Sequence, residues 1–174
     1  MRKSCIPNIF TFINLSCGVL SIISIINSNF QVSCMFIILA ALVDRYDGRV
    51  ARYLDVSSDL GKELDSLADL VSFGVAPSIL TYIMFDFKDI YTLGILGFIL
   101  LLLLPICGAY RLARFNSVDF DGCFTGIPIT VVGCFIALYD LFAYNKAVSS
   151  HIIPIFLILL GSYLMVSNIK LKKF

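Results

Sequence analysis

The sequence has no tryptophan, a single histidine and few charges, and each shortage narrows what the chain can be. Charged residues are 14% of the 174 while 59% are hydrophobic, which excludes an ordinary soluble domain and reads as an integral membrane protein. A formal net charge of +1 leaves no excess of Lys and Arg for a phosphate backbone, so nucleic acid is excluded as a partner. Without tryptophan, the 15 Phe and 8 Tyr read as core and interface packing rather than a base-stacking surface. The 6 cysteines have no CxxC spacing and mostly sit in apolar runs, which reads as reduced packing residues rather than a disulfide framework or a zinc site. No A-x-A-like site follows the first apolar run, so a cleaved signal peptide is not expected.

What is present is a series of apolar stretches. Crossing a hydrocarbon core of about 30 Å takes roughly 20 helical residues. Six stretches approach that length, at residues 9–26, 31–54, 64–85, 90–116, 127–144 and 151–168, separated by Asn, Asp, Ser and Gly turn chemistry. The expected fold is all-α, a single membrane domain of six transmembrane helices over residues 1–174. Of the 13 Lys and Arg, only Lys88 and Lys146 fall on one side of this arrangement; Arg2, Lys3, Arg45, Arg49, Arg52, Lys62, Arg111, Arg114, Lys170, Lys172 and Lys173 share the other. The excess of positive charge marks the cytoplasmic side, which puts both termini there in a multi-pass cell-membrane protein. His151 then opens the last span on the opposite side and reads as an interfacial residue.

The charges that remain are concentrated. Residues 44–69 read DRYDGRVARYLDVSSDLGKELDSLAD. A charged side chain at the bilayer centre costs about 2.5–3.5 kcal/mol on insertion scales, so acids beside long apolar runs point to a functional site. Asp44 and Asp47 are three apart and Asp65 and Asp69 four apart, so each pair shares one face of its helix. The two helices are consecutive and antiparallel, which brings the pairs together at the cytoplasmic membrane boundary. Oxygen ligands without His or Cys suit hard divalent cations such as Mg²⁺, Mn²⁺ or Ca²⁺ rather than zinc. Gly48 and Gly61 remove side chains where a ligand can approach, and Arg52 offers a forked donor to phosphate.

The pattern D-x2-D-G-x2-A-R-x8-G-x3-D-x3-D, carried by Asp44, Asp47, Gly48, Ala51, Arg52, Gly61, Asp65 and Asp69, resembles without gap or substitution the signature of the CDP-alcohol phosphatidyltransferases. The resemblance implies a six-helix membrane enzyme, usually a homodimer, in which an alcohol hydroxyl displaces CMP from a CDP-linked lipid. It implies further that Asp44, Asp47 and Asp65 hold two divalent cations, that Asp69 is general base and contacts a metal, and that Gly48, Ala51, Arg52 and Gly61 line the nucleotide pocket. Asn8 and Thr11, one helical turn apart, are candidate nucleotide contacts.

The acceptor alcohol is addressed by other segments. Residues 7–14 (PNIFTFIN), 110–116 (YRLARFN) and 124–128 (FTGIP) are similar to segments of bacterial and archaeal phosphatidylserine synthases within this family, with Ile127 and Thr130 where Leu and a second Pro are common. This implies CDP-diacylglycerol and L-serine as substrates. A serine site needs a cation for the carboxylate, and Arg111 and Arg114 are three apart at a cytoplasmic helix end; Asn14 lies deeper in the first span. The alternatives are a relative using glycerol 3-phosphate, inositol phosphate or an archaeal ether lipid, and, in another class, a divalent-cation transporter. The transporter requires acids that continue through the membrane, whereas these cluster at one face.

Overall fold

The computed structural model describes residues 5–53, 59–87, 95–117, 123–146, 150–167 and 170–172, with residues 5–7, 50–53, 59, 123–125 and 170–172 described by their backbone alone. The chain forms α1 (Cys5–Ile26), α2 (Phe30–Tyr53), α3 (Asp59–Asp69), a π-helical turn (Leu70–Val75), α4 (Ala76–Met84), α5 (Ile95–Ser117), α6 (Ile129–Asn145) and α7 (Ile152–Val166). Because α3, the π-helical turn and α4 run on without a break, these elements make six rods, one for each apolar stretch in the sequence. Three of them, at Asn8–Ile26, Leu60–Met84 and Ile95–Ser117, are long and apolar enough to cross a membrane, and Ile129–Asn145 and Ile152–Val166 are shorter apolar helices. The second rod carries Asp44, Arg45 and Asp47 in its C-terminal half, which costs it that status on composition. The expected fourth-helix start at Ile90, together with Lys88, Arg2, Lys3 and Lys173, lies outside the described residues.

Amphipathic periodicity explains how the rods sort their faces. On α1, Thr11, Asn14, Gly18 and Ser21 form one buried stripe at helical spacing, whereas Ile9, Phe12, Ile13, Val19 and Ile23 face outward. The stripe lies against α2, where Ser21 and Ser33 share a 2.8 Å hydrogen bond, and against the third rod, where Ser72 donates to the Asn14 carbonyl oxygen at 2.9 Å. Phe73, Leu80, Leu104, Ile129, Ile158 and Met165 form the centre of the core. Cys17, Cys34, Cys107 and Cys134 are free thiols, as the spacing anticipated; the Cys5 and Cys123 side chains are not among those described.

The π-helical turn decides how the third rod meets its neighbours. Its register shift shows in the Ala76 N–H, which reaches back five residues to the Val71 carbonyl. Ser72, Phe73 and Gly74 are buried by it. A Cβ at Gly133 of α6 would lie 2.6 Å from the Phe73 carbonyl oxygen, so α6 approaches this turn at backbone distance. In the far half of the bundle, fully buried Thr81 of α4 donates to Asp140 of α6 at 2.7 Å.

The all-α expectation is incomplete in one place. Cys123–Thr125 (β1) and Lys170–Lys172 (β2) pair antiparallel, Phe124 opposite Leu171, and tie the segment before α6 to the segment after α7. Gly126 beside this ribbon has φ 78°, and a Cβ there would lie 2.4 Å from the Met165 carbonyl oxygen, so both conformation and space require glycine.

Candidate active site

Asp44 and Asp47 project from the last turns of α2, and Asp65 and Asp69 from α3, as their spacing predicts. One carboxylate oxygen from each of Asp44, Asp65 and Asp69 lies within 4.8 Å of the others. Asp47 stands beside this trio, buried, and in Coulombic range of Asp44 and Asp65. Two unit charges 4 Å apart repel by about 1 kcal/mol in bulk water and by more where water is excluded. Four acids held this closely therefore favour a bound cation.

The donor set fits a divalent metal. All the candidate ligands are carboxylate oxygens, and the buried Asp47 Oδ1 has no hydrogen-bond partner within the protein. Three of the other oxygens are held by neutral donors. Thr11 Oγ1 donates to Asp47 Oδ2 at 2.6 Å, Asn14 Nδ2 to Asp69 Oδ1 at 3.0 Å, and Thr130 Oγ1 to Asp44 Oδ2 at 3.4 Å.

The two arginines of α5 separate. Arg111 is buried, its guanidinium 5.8 Å from the Phe115 ring centroid and in Coulombic range of Asp69, and its Nε has no partner within the protein. Arg114 turns the other way, donating to the Val166 carbonyl oxygen at 3.2 Å and the Ser167 carbonyl oxygen at 3.5 Å, where it closes the end of α7. Thr11 and Asn14, expected at nucleotide and substrate, both face acids of the cluster. Asn8 is half-buried one turn before Thr11. Gly48 is exposed, and a Cβ there would meet nothing within 4 Å; Gly61 is half-buried inside α3. Ala51 and Arg52 lie in the last turn of α2, and their side chains are outside those described. His151 is exposed at the start of α7, its ring 6.4 Å from that of Phe87.

Residues 4–169 match the family model for CDP-alcohol phosphatidyltransferases. The chain belongs to that family. As a phosphatidyltransferase it is 40% identical over 174 residues to the CDP-diacylglycerol–serine O-phosphatidyltransferase of Bacillus subtilis, a match covering 97% of this chain and 90% of the relative. The enzyme of the same name from Helicobacter pylori J99 is 37% identical, with 97% and 72% covered. The archaetidylserine synthase of Methanothermobacter thermautotrophicus is 37% identical, with 95% and 68% covered.

Sequence reasoning missed two parts of this phosphatidyltransferase site. Thr130 reaches Asp44 from 86 positions away, a contact that no local pattern encodes. The π-helical turn directly after Asp69 has no composition signal in LVSFGV; it sets Phe73 against Gly133 of α6 and Ser72 against α1, contacts between distant segments.

Proposed function

We propose that this phosphatidyltransferase moves the phosphatidyl group of CDP-diacylglycerol to the hydroxyl of L-serine, giving phosphatidylserine and CMP. The observation that carries this reading is the juxtaposition of Asp44, Asp65 and Asp69 within 4.8 Å, in a chain whose relatives are named for serine transfer over nearly its whole length. The archaeal relative is named for serine with a different lipid, which supports the acceptor more strongly than the lipid tails.

In this reading Asp44, Asp47, Asp65 and Asp69 hold two divalent cations, Mg²⁺ or Mn²⁺ with Ca²⁺ as a third candidate. Bound there, such cations supply Lewis-acid polarisation of the pyrophosphate oxygens and a template for the substrate. The protein does the rest. Asp69, buried one turn deeper than Asp65, accepts the serine hydroxyl proton. The hydroxyl oxygen bonds to the lipid-side phosphorus, the bond from that phosphorus to the bridging oxygen breaks, and CMP departs with the bridging oxygen. Arg111 offers its guanidinium to the serine carboxylate or the lipid-linked phosphate, and Arg114, one turn further on and bonded to the end of α7, adds positive charge beside it. Gly48, Ala51, Arg52 and Gly61, with Asn8, border the nucleotide, and Thr11 acts there through Asp47, to which it donates. Six spans in one domain with both termini cytoplasmic keep the nucleotide in water and the tails in lipid, and two copies form the working unit.

The test is CMP release by purified full-length protein given CDP-diacylglycerol and Mn²⁺ or Mg²⁺, with serine, glycerol 3-phosphate, inositol phosphate or no alcohol. Release should require both serine and metal, stop with EDTA and return when metal is restored. Release driven by another alcohol moves the acceptor assignment; no release with any metal overturns the enzyme reading.

A further inference from the structure

Helices α1 and α6 contribute no acid to the cluster, yet each sends neutral side chains to it. We infer that Thr11, Asn14 and Thr130 are positioning residues that orient Asp47, Asp69 and Asp44, so that each carboxylate keeps an oxygen for metal. The inference rests on the metal assignment above and adds the chain's own means of preorganising it.

Three separate contacts carry it. Each donor occupies one named oxygen: Asp47 Oδ2 from Thr11 at 2.6 Å, Asp69 Oδ1 from Asn14 at 3.0 Å, and Asp44 Oδ2 from Thr130 at 3.4 Å. For Asp47 the second oxygen is buried with no partner in the protein, as a ligand waiting for a cation would be. A free carboxylate rotates about two side-chain bonds, and a metal site needs its ligands held to within about 0.5 Å. A hydrogen bond to one oxygen removes that rotation. A Lys or Arg in the same place would also remove it but would offset the charge that attracts the cation; a hydroxyl or amide leaves the charge in place.

The donors are themselves held. A carboxylate only accepts, so the Asn14 amide must turn its nitrogen to Asp69. The α1 backbone at Asn14 is fixed by Ser72, and a Cβ at Gly18, one turn along, would lie 2.5 Å from Ser72 Oγ. Thr130 sits between Ile129, fully buried against Gly74 and Gly108, and the turn of α6 that meets Phe73 at Gly133. The π-helical turn thus serves as the common anvil for both donor-bearing helices and for Asp69 itself.

The test is Mn²⁺ affinity, read by electron paramagnetic resonance on full-length protein in lipid nanodiscs without substrate, followed by kcat and KM at saturating metal. T11V, N14L and T130V should each raise the Mn²⁺ Kd about tenfold or more, with T11S and T130S within about threefold of wild type. At saturating metal, kcat should fall with KM for serine and CDP-diacylglycerol unchanged. Thermal unfolding checks each variant, and where a valine variant does not fold, T11A or T130A makes the same deletion. Wild-type Mn²⁺ affinity in the variants overturns the inference, as does a raised KM with metal affinity intact, which would make Thr11 and Asn14 substrate contacts. If wild type itself binds no Mn²⁺, the metal assignment fails first and the positioning role falls with it.

Discussion

Among single side chains, Asp65 and Asp69 share a helix face but differ in surroundings: Asp69 is buried, bonded by Asn14 and within the field of Arg111, whereas Asp65 is half-buried. Replacing Asp69 with Asn keeps size and hydrogen bonding but removes the base. D69N should lower CMP release at least about 10²-fold while CDP-diacylglycerol still binds; turnover near wild type would remove Asp69 from the proton step. The four acids were legible in sequence because i, i+3 and i, i+4 spacing is local. Arg111 and Arg114 were not distinguishable there. Which of them turns to Asp69 and which to the end of α7 depends on where α7 lies, and no local pattern contains that.

At the scale of elements, the apolar stretches became rods with ends within a few residues of expectation where both are described, because length and hydropathy act along a single helix. Register between rods came from close contacts instead. Gly133 and Gly48 make the contrast measurable. A Cβ at Gly133 would press on the Phe73 backbone at 2.6–2.8 Å, whereas one at Gly48 would meet nothing within 4 Å. G133A should destabilise the fold by about 1–3 kcal/mol, seen as a lower Tm. G48A should leave Tm unchanged or slightly higher, since Ala is the better helix former, yet reduce turnover if the nucleotide uses that space. A lowered Tm in G48A would mean that the fold, not the ligand, needs the glycine. The ribbon of β1 and β2 escaped the sequence reading because three-residue strands have no usable periodicity.

For the whole molecule, Asp44, Asp47, Asp65, Asp69 and Arg111 belong to one end of the bundle, with the β-ribbon beside the end of α7 that Arg114 closes, and Asp140 and His151 to the other. The charge bias predicts which end faces the cytoplasm. In a background without native cysteines, K146C should react with an impermeant maleimide on intact cells and K62C only after permeabilisation. Labelling of both from the same side would break the six-span arrangement. Asp140 shows what this scale adds: a fully buried acid bonded to Thr81 of α4, a partner 59 positions away that no spacing within one helix marks.

By itself the sequence determined the membrane class, the helical rods, the pairing of acids on two consecutive helices and, through the motif they share, the family. These follow from composition and from spacing within one helix, where 3.6-residue geometry converts position into direction. The tertiary structure decided which neutral groups hold each acid, which arginine faces the site, where the third rod takes its π-helical turn, and how the segment before α6 is tied to the end of the chain. Those depend on contacts between residues 36 to 86 positions apart, set by packing that no single helix contains.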